Sequence, residues 1–226
     1  MRILKRDQLP LGGFSGLKEH RLVKDPQAFG TDANTDGSWP GLGSFVYLAD
    51  ARFLPHGDTR MHSHREIDVI SVIVDGRISH EGSLQHGTDL TRDNVQVQRA
   101  GGEGFKHNEI NPDDEMNRMI QLWVLPETPG QPADYRVYQP ETGKLTRIYG
   151  GSSNPPADFP SKTVIDIALL NAGQQIAVNG PFMAYLSRGD GTANGKEIYD
   201  GDLVQGDSLS FQAGNHAQLI IVHLDQ

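Results

Sequence analysis

The sequence predicts an all-β protein, and three observations carry that expectation. Apolar residues recur with a period of two in short runs, the runs are bounded by Gly, Asp and Asn, and no long stretch repeats apolar residues at helical spacing. Alternation of this kind places successive side chains on opposite faces of a strand. Many short strands between turns make a sandwich or a barrel. The runs expected as strands are Ser44–Leu48, Val69–Val74, Val95–Gln98, Ile120–Leu125, Thr163–Leu169, Phe182–Ser187, Ser208–Gln212 and Gln218–Leu224. Asp75-Gly76 separates one of them from Arg77-Ile78-Ser79-His80, so a tight hairpin is expected there.

Two stretches depart from this rhythm. Residues 24–43 are polar and rich in Gly, Asp and Pro, which predicts a long surface loop. Residues 126–161 carry Pro126, Pro129, Pro132, Pro140, Pro155, Pro156 and Pro160, which predicts a connector with little regular structure between two strand-rich halves. The halves echo one another faintly. Asp93–Gly101 leads into Ile120–Leu125 as Asp207–Gly214 leads into Gln218–Leu224, which favours a duplicated β unit.

Composition narrows the function. A formal charge of -9 and a pI near 5.4 argue against a surface that neutralises phosphates, so no nucleic-acid binding is expected. Absence of cysteine removes disulfides, iron–sulfur clusters and thiol catalysis. No apolar run approaches the ~18 residues of a membrane span, and no signal peptide is read at the start. A cytoplasmic protein is the expectation.

Nine histidines are present, and most are ordinary. His62-Ser63-His64 is different, because histidines at i and i+2 of a strand project from one face and can reach one cation. His107-Asn108-Glu109 repeats that spacing with a carboxylate. Three imidazoles and one carboxylate suit iron, manganese, nickel or copper and leave coordination positions open. His80 and His86 flank the expected hairpin and are read as exposed. His216 and His223 stand apart and are read as structural.

These residues lie in an order that resembles the pirin family of the cupin superfamily. That family shows HxHRGFExVxYVLxGxxxHxDS, then GDxQxMxAGxGxxHxE, then a strand ending LQLWVNLP. Here the sequence runs His62-Ser-His64-Arg65-Glu66-Ile67-Asp68-Val69, then Asp93-Asn-Val-Gln96 and Ala100-Gly101, then His107-Asn108-Glu109 and Ile120-Gln-Leu-Trp-Val-Leu-Pro126. The resemblance implies a bicupin of two jelly-roll-like β-barrels packed face to face. Residues 1–130 would be the metal-binding cupin, 131–160 a Pro-rich connector, and 161–226 a second cupin without ligands.

The resemblance also implies metal ligands at His62, His64, His107 and Glu109. Iron(II) is the first choice, and manganese, nickel, copper or zinc fit the same donors. The family's Arg-Gly-Phe-Glu is Arg65-Glu66-Ile67-Asp68 here, which ranks Asp68 and then Glu66 behind Glu109 as alternative carboxylates. Some pirin-like proteins are quercetin 2,3-dioxygenases, which open a flavonol ring with O2. On that basis Glu109 doubles as catalytic base, and Phe45, Met61, Phe105, Gln121 and Trp123 are expected pocket walls, with Lys106 solvated at the mouth. Other pirins are redox-sensitive, metal-binding partners of transcription factors or metabolic enzymes, which is the alternative. A monomer is expected.

Overall fold

Each of the eight expected runs falls on a strand, with Ser44 and Leu125 lying just outside. The computed structural model describes residues 1–152 and 158–225. In chain order the strands are β1 (Arg2–Lys5), β2 (Leu11–Phe14), β3 (Leu17–Lys24), β4 (Phe45–Phe53), β5 (His62–His64), β6 (Asp68–Asp75), β7 (Arg77–Gly82), β8 (Thr88–Thr91), β9 (Val95–Arg99), β10 (Phe105–Ile110) and β11 (Arg118–Val124). They continue as β12 (Asp134–Tyr138), β13 (Lys144–Tyr149), β14 (Thr163–Leu170), β15 (Gln175–Arg188), β16 (Asp190–Ala193), β17 (Lys196–Tyr199), β18 (Asp202–Ala213) and β19 (Ala217–Leu224). One short helix, α1 (Pro26–Phe29), interrupts them.

The chain divides into two cupin-like units, Leu9–Gln139 and Met1–Gln8 with Pro140–Gln226. The first unit holds a seven-stranded sheet ordered β12-β9-β6-β11-β4-β3-β2 and a four-stranded sheet ordered β5-β10-β7-β8. The second is built on an eight-stranded sheet ordered β13-β14-β19-β15-β18-β16-β17, with β1 added on β18. The faint sequence echo has a counterpart here: β3-β4-β11-β6-β9 and β13-β14-β19-β15-β18 stand in the same order. Residues 1–8 join the second unit because Arg2–Lys5 pairs with Gln205–Asp202, a long-range pairing that local sequence cannot signal.

Three expectations change. The 126–161 stretch holds two strands, because its prolines leave Pro-free windows between Pro132 and Pro140 and after Pro140, where β12 and β13 form. Pro155 and Pro156 lie outside the described residues. Asp75-Gly76 is not a hairpin: β6 belongs to one sheet and β7 to the other, so the pair turns a corner between sheets. Gly76 takes φ +70°, and a Cβ there would lie 2.8 Å from Asn117 Cβ, so glycine is required. Segment 24–43 is fastened down. The Asp25 carboxylate accepts from Gln27 N at 2.9 Å as helix cap and from Gly41 N at 2.8 Å, closing the loop's two ends.

Burial of both strand faces makes the centre of the seven-stranded sheet dry. On β6, Val69, Ile70, Ser71, Val72 and Ile73 are all fully buried. The Asp50 carboxylate, also fully buried on β4, accepts from Arg118 Nε at 2.9 Å and Arg52 Nη1 at 3.4 Å. Removing one partner of a buried pair leaves an uncompensated charge, at a cost of about 3 kcal/mol or more. Arg118→Leu is therefore expected to lower stability by about 3 kcal/mol in urea unfolding, against about 1 kcal/mol or less for Arg52→Leu. Equal small losses would show that the Asp50 charge is not confined as described.

Candidate metal centre

Antiparallel pairing of β5 with β10 puts His62 directly opposite His107 and His64 opposite Phe105. Side chains on paired positions share a face, so the i, i+2 histidines of β5 and His107 of β10 converge. One ligand atom from each of His62, His64 and His107 lies within 4.8 Å of the others. His62 Nε2 and His107 Nε2 are 3.1 Å apart. Two nitrogens each about 2.1 Å from one ion and near right angles at it are about 3 Å apart, so this pair matches two ligands of one cation. His62 Nδ1 lies 2.8 Å from the Arg60 carbonyl, which fixes its hydrogen there and leaves the Nε2 lone pair free. His64 Nε2 is buried with no hydrogen-bond partner. The cluster is compatible with a divalent metal ion.

Burial, reinforced by the neighbouring imidazoles, pushes the pKa of His64 down to about 4 and that of His107 down to about 2. Both are therefore neutral at physiological pH, the form a metal needs.

Glu109 is fully buried on β10, on the face it shares with His107. Its Oε1 accepts from Ser71 Oγ at 2.6 Å and Gln96 Nε2 at 2.7 Å, and its Oε2 from Gln121 Nε2 at 3.3 Å. Burial raises its pKa against the opposing pull of these hydrogen bonds and of His62. Its oxygens are not within the histidine group of ligand atoms. Tyr135 O–H donates to Gln96 Oε1 at 3.1 Å, and burial with the nearby Glu109 pushes that phenol up to about 12.

Of the expected walls, Phe105 packs 5.3 Å from the His64 ring and 5.1 Å from His107, and Trp123 lies 5.8 Å from His64. Gln121 reaches the centre through Glu109. Phe45 is fully buried but makes none of those ring contacts, and Met61, just before β5, is largely exposed. A cavity of about 350 Å³ opens beside His64 and Phe105, with Arg65 and Lys106 among its lining residues. Lys106 is exposed, as expected.

The two alternative carboxylates are directed elsewhere. β5 ends at His64, Glu66 takes φ +52°, and its Oε1 accepts from Gly130 N at 3.0 Å. Strand alternation is lost before it reaches Glu66. Asp68 is buried at the start of β6. It has the opposite parity to Ser71, the β6 residue that reaches Glu109.

Sequence patterning missed several contributors. Gln96 and Gln98 alternate with Val95 and Val97, a pattern that ordinarily marks a solvent face, yet all four are fully buried. Ser71 is the one polar residue in its apolar run, and that was the available signal. His80 is fully buried rather than exposed. Its ring lies 5.6 Å from His107 and 5.5 Å from Tyr135, and Gly82 makes room for it: a Cβ there would meet His80 Nε2 at 2.9 Å. Phe29 of the 24–43 segment stacks on Tyr47 and Trp123 at 5.5 and 5.9 Å.

In the second unit, His223 Nε2 pairs with Asp166 at 2.9 Å, and Arg147 Nε donates to the same carboxylate at 3.1 Å. That histidine is structural. Among the described residues, only the first unit brings together three potential ligands.

Fold and centre together define a protein with two cupin-like units and one histidine-rich centre. Residues 36–124, which span that centre, match the family model Pirin, and the chain carries a pirin-family domain there. A protein of Zymomonas mobilis, described as a "Putative quercetin 2,3-dioxygenase", is 25% identical over 220 residues, covering 92% of this chain and 93% of its own. A pirin-like protein of Caulobacter vibrioides is 26% identical over 174 residues, 74% of each chain. Among solved structures, bacterial pirin YhhW from Escherichia coli in complex with nickel(II) superposes with a TM-score of 0.81. It is 16% identical, over 99% of this chain and 98% of that one. Quercetin 2,3-dioxygenase from Acinetobacter baumannii gives 0.73 at 15% identity, over 100% and 86%. Among the described residues, no helix is long and apolar enough to cross a membrane.

His80 yields a pH prediction. Its pKa is lowered to about 4, chiefly by burial, against ~6.5 in an unfolded chain. As pH falls below 6.5 the unfolded state takes up a proton that the folded state refuses, so stability drops between pH ~6.5 and ~4. Neither ring nitrogen has a protein hydrogen-bond partner, so His80→Phe removes no bond. The variant is expected to match the parent within about 1 kcal/mol at pH 7 and to exceed it by about 1–2 kcal/mol at pH 5, measured by denaturant unfolding. Parallel pH profiles for the two proteins would refute this.

Proposed function

We propose that this protein is a metal-dependent dioxygenase that opens a flavonol-like ring with O2. The observation that carries it is a cluster of three imidazoles beside a buried, hydrogen-bonded carboxylate with an aromatic wall. The Zymomonas mobilis relative, similar along almost the whole chain, bears the name of that activity. On this proposal His62, His64 and His107 hold the ion, with Glu109 as fourth ligand. A bound divalent ion, iron(II) first among the candidates, supplies Lewis-acid polarisation of the substrate's enol oxygen.

The chain's own residues do the rest. Two short hydrogen bonds occupy Glu109 Oε1, whereas Oε2 has one longer contact, so Oε2 is the oxygen open to the centre, as ligand or, when it is not ligating, as acceptor of the 3-hydroxyl proton. Burial raises the affinity of that carboxylate for a proton, the direction that strengthens a general base. Ser71, Gln96 and Gln121 hold the carboxylate in one orientation. Phe105 and Trp123 offer flat apolar surface to a planar ring and keep water from the centre. The setting is a cytoplasmic monomer.

Protein loaded with iron, manganese or nickel is expected to remove flavonol absorbance only when O2 is present. Glu109→Gln should lower kcat by about 10²-fold or more, as expected for loss of a base. His62→Ala with His107→Ala should abolish metal content by elemental analysis while the far-ultraviolet β signal persists. No turnover across a flavonol panel with any of the three metals would sink the proposal.

A further inference from the structure

Gln98 is fully buried on β9, and its Nε2 lies 3.3 Å from His107 Nδ1. Its Oε1 is buried with no hydrogen-bond partner. On the other side of the ring, His107 Nε2 faces His62 Nε2 at 3.1 Å, and His62 Nδ1 faces the Arg60 carbonyl at 2.8 Å. A neutral imidazole carries one N–H and one lone pair. The carbonyl can only accept, so His62 has its hydrogen on Nδ1 and accepts at Nε2. His107 then has its hydrogen on Nε2, donates it to His62, and accepts at Nδ1 from the Gln98 amide. Each contact in this relay then pairs one hydrogen with one lone pair, but that form of His107 directs no lone pair at the centre.

For His107 to offer its Nε2 lone pair, its hydrogen must stand on Nδ1, where an amide N–H would oppose it. Reversing the Gln98 amide exchanges two groups of nearly equal size and brings the partnerless Oε1 onto Nδ1–H. We propose that Gln98 is a positioning residue for His107, its side-chain amide reversing to set which ring nitrogen carries the hydrogen, and hence whether His107 offers a lone pair to a metal ion. The proposal rests on the metal centre described above. Partners that fix the tautomer of a ligating histidine commonly change metal affinity by about 10–100-fold.

The test is nitrogen-15 NMR of labelled histidine in the whole protein, metal-free and with zinc(II), combined with zinc affinity by chelator competition. In the metal-free parent, His107 is expected to carry its hydrogen on Nε2, and with zinc on Nδ1. Gln98→Glu, which as a carboxylate can only accept, should place the hydrogen on Nδ1 without metal. Gln98→Met, of similar length with neither an amide donor nor an amide acceptor, leaves His62 to hold the hydrogen on Nε2 without metal and, lacking an acceptor for Nδ1–H, should weaken zinc binding by about tenfold. Gln98→Met also keeps the test open if Gln98→Glu does not fold. Unchanged zinc affinity in Gln98→Met, or the parent's tautomer retained in a folded Gln98→Glu, would overturn the proposal. A parent that binds no zinc, with a Gln98→Glu variant that still moves the tautomer, would overturn the metal centre and support the role of Gln98.

Discussion

Register between two short strands governs this molecule. His62 stands opposite His107 because β5 pairs with β10 in one register and not the next. A slip by one residue would turn His62 and His64 outward and bring Ser63 in, since strand side chains alternate strictly. The register is held from outside the two strands. Ser83 Oγ accepts from Lys106 N, Thr59 N donates to Glu109 O, and β7 pairs with the other edge of β10.

A dry interior gives that register its chemical consequence. The apolar faces of β4, β6 and β11 exclude water, and inside that enclosure a thin polar layer runs through Ser71, Gln96, Gln98, Gln121, Tyr135 and Glu109. Burial keeps His64 and His107 neutral, and the amides and the hydroxyl hold the carboxylate that burial would otherwise make costly. The same enclosure therefore sets both the neutrality of His64 and His107 and the proton affinity of Glu109. The second unit repeats the order of five strands, but there the buried Asp166 carboxylate is engaged by Arg147 and His223.

Legibility followed the range of the interactions. The i, i+2 spacing of His62 with His64 and of His107 with Glu109 is a local signal, and strand geometry converts it directly into a shared face. Asp75-Gly76 was misleading because a turn sequence specifies a change of chain direction and leaves open whether the next strand pairs back or enters another sheet. Glu66 kept the parity of the histidines on paper, but parity has meaning only while the strand lasts, and β5 stops at His64. Gln96 and Gln98 looked like a wet face because period-two polarity is the same whether the polar side meets solvent or a buried centre. His80 was misplaced for a related reason, since its concealment depends on Gly82 and on strands remote in sequence.

By itself the sequence determined the β class, most strand positions, and the two dipeptide-spaced pairs that supply histidines and a carboxylate, because these are encoded within a few residues of chain. Tertiary structure alone decided where residues 1–8 and 131–160 belong, which polar side chains line the interior, and that His80 is enclosed beside His107. Those outcomes depend on pairing between segments tens of residues apart, where backbone hydrogen bonds and excluded water select the partner and no local pattern records the choice.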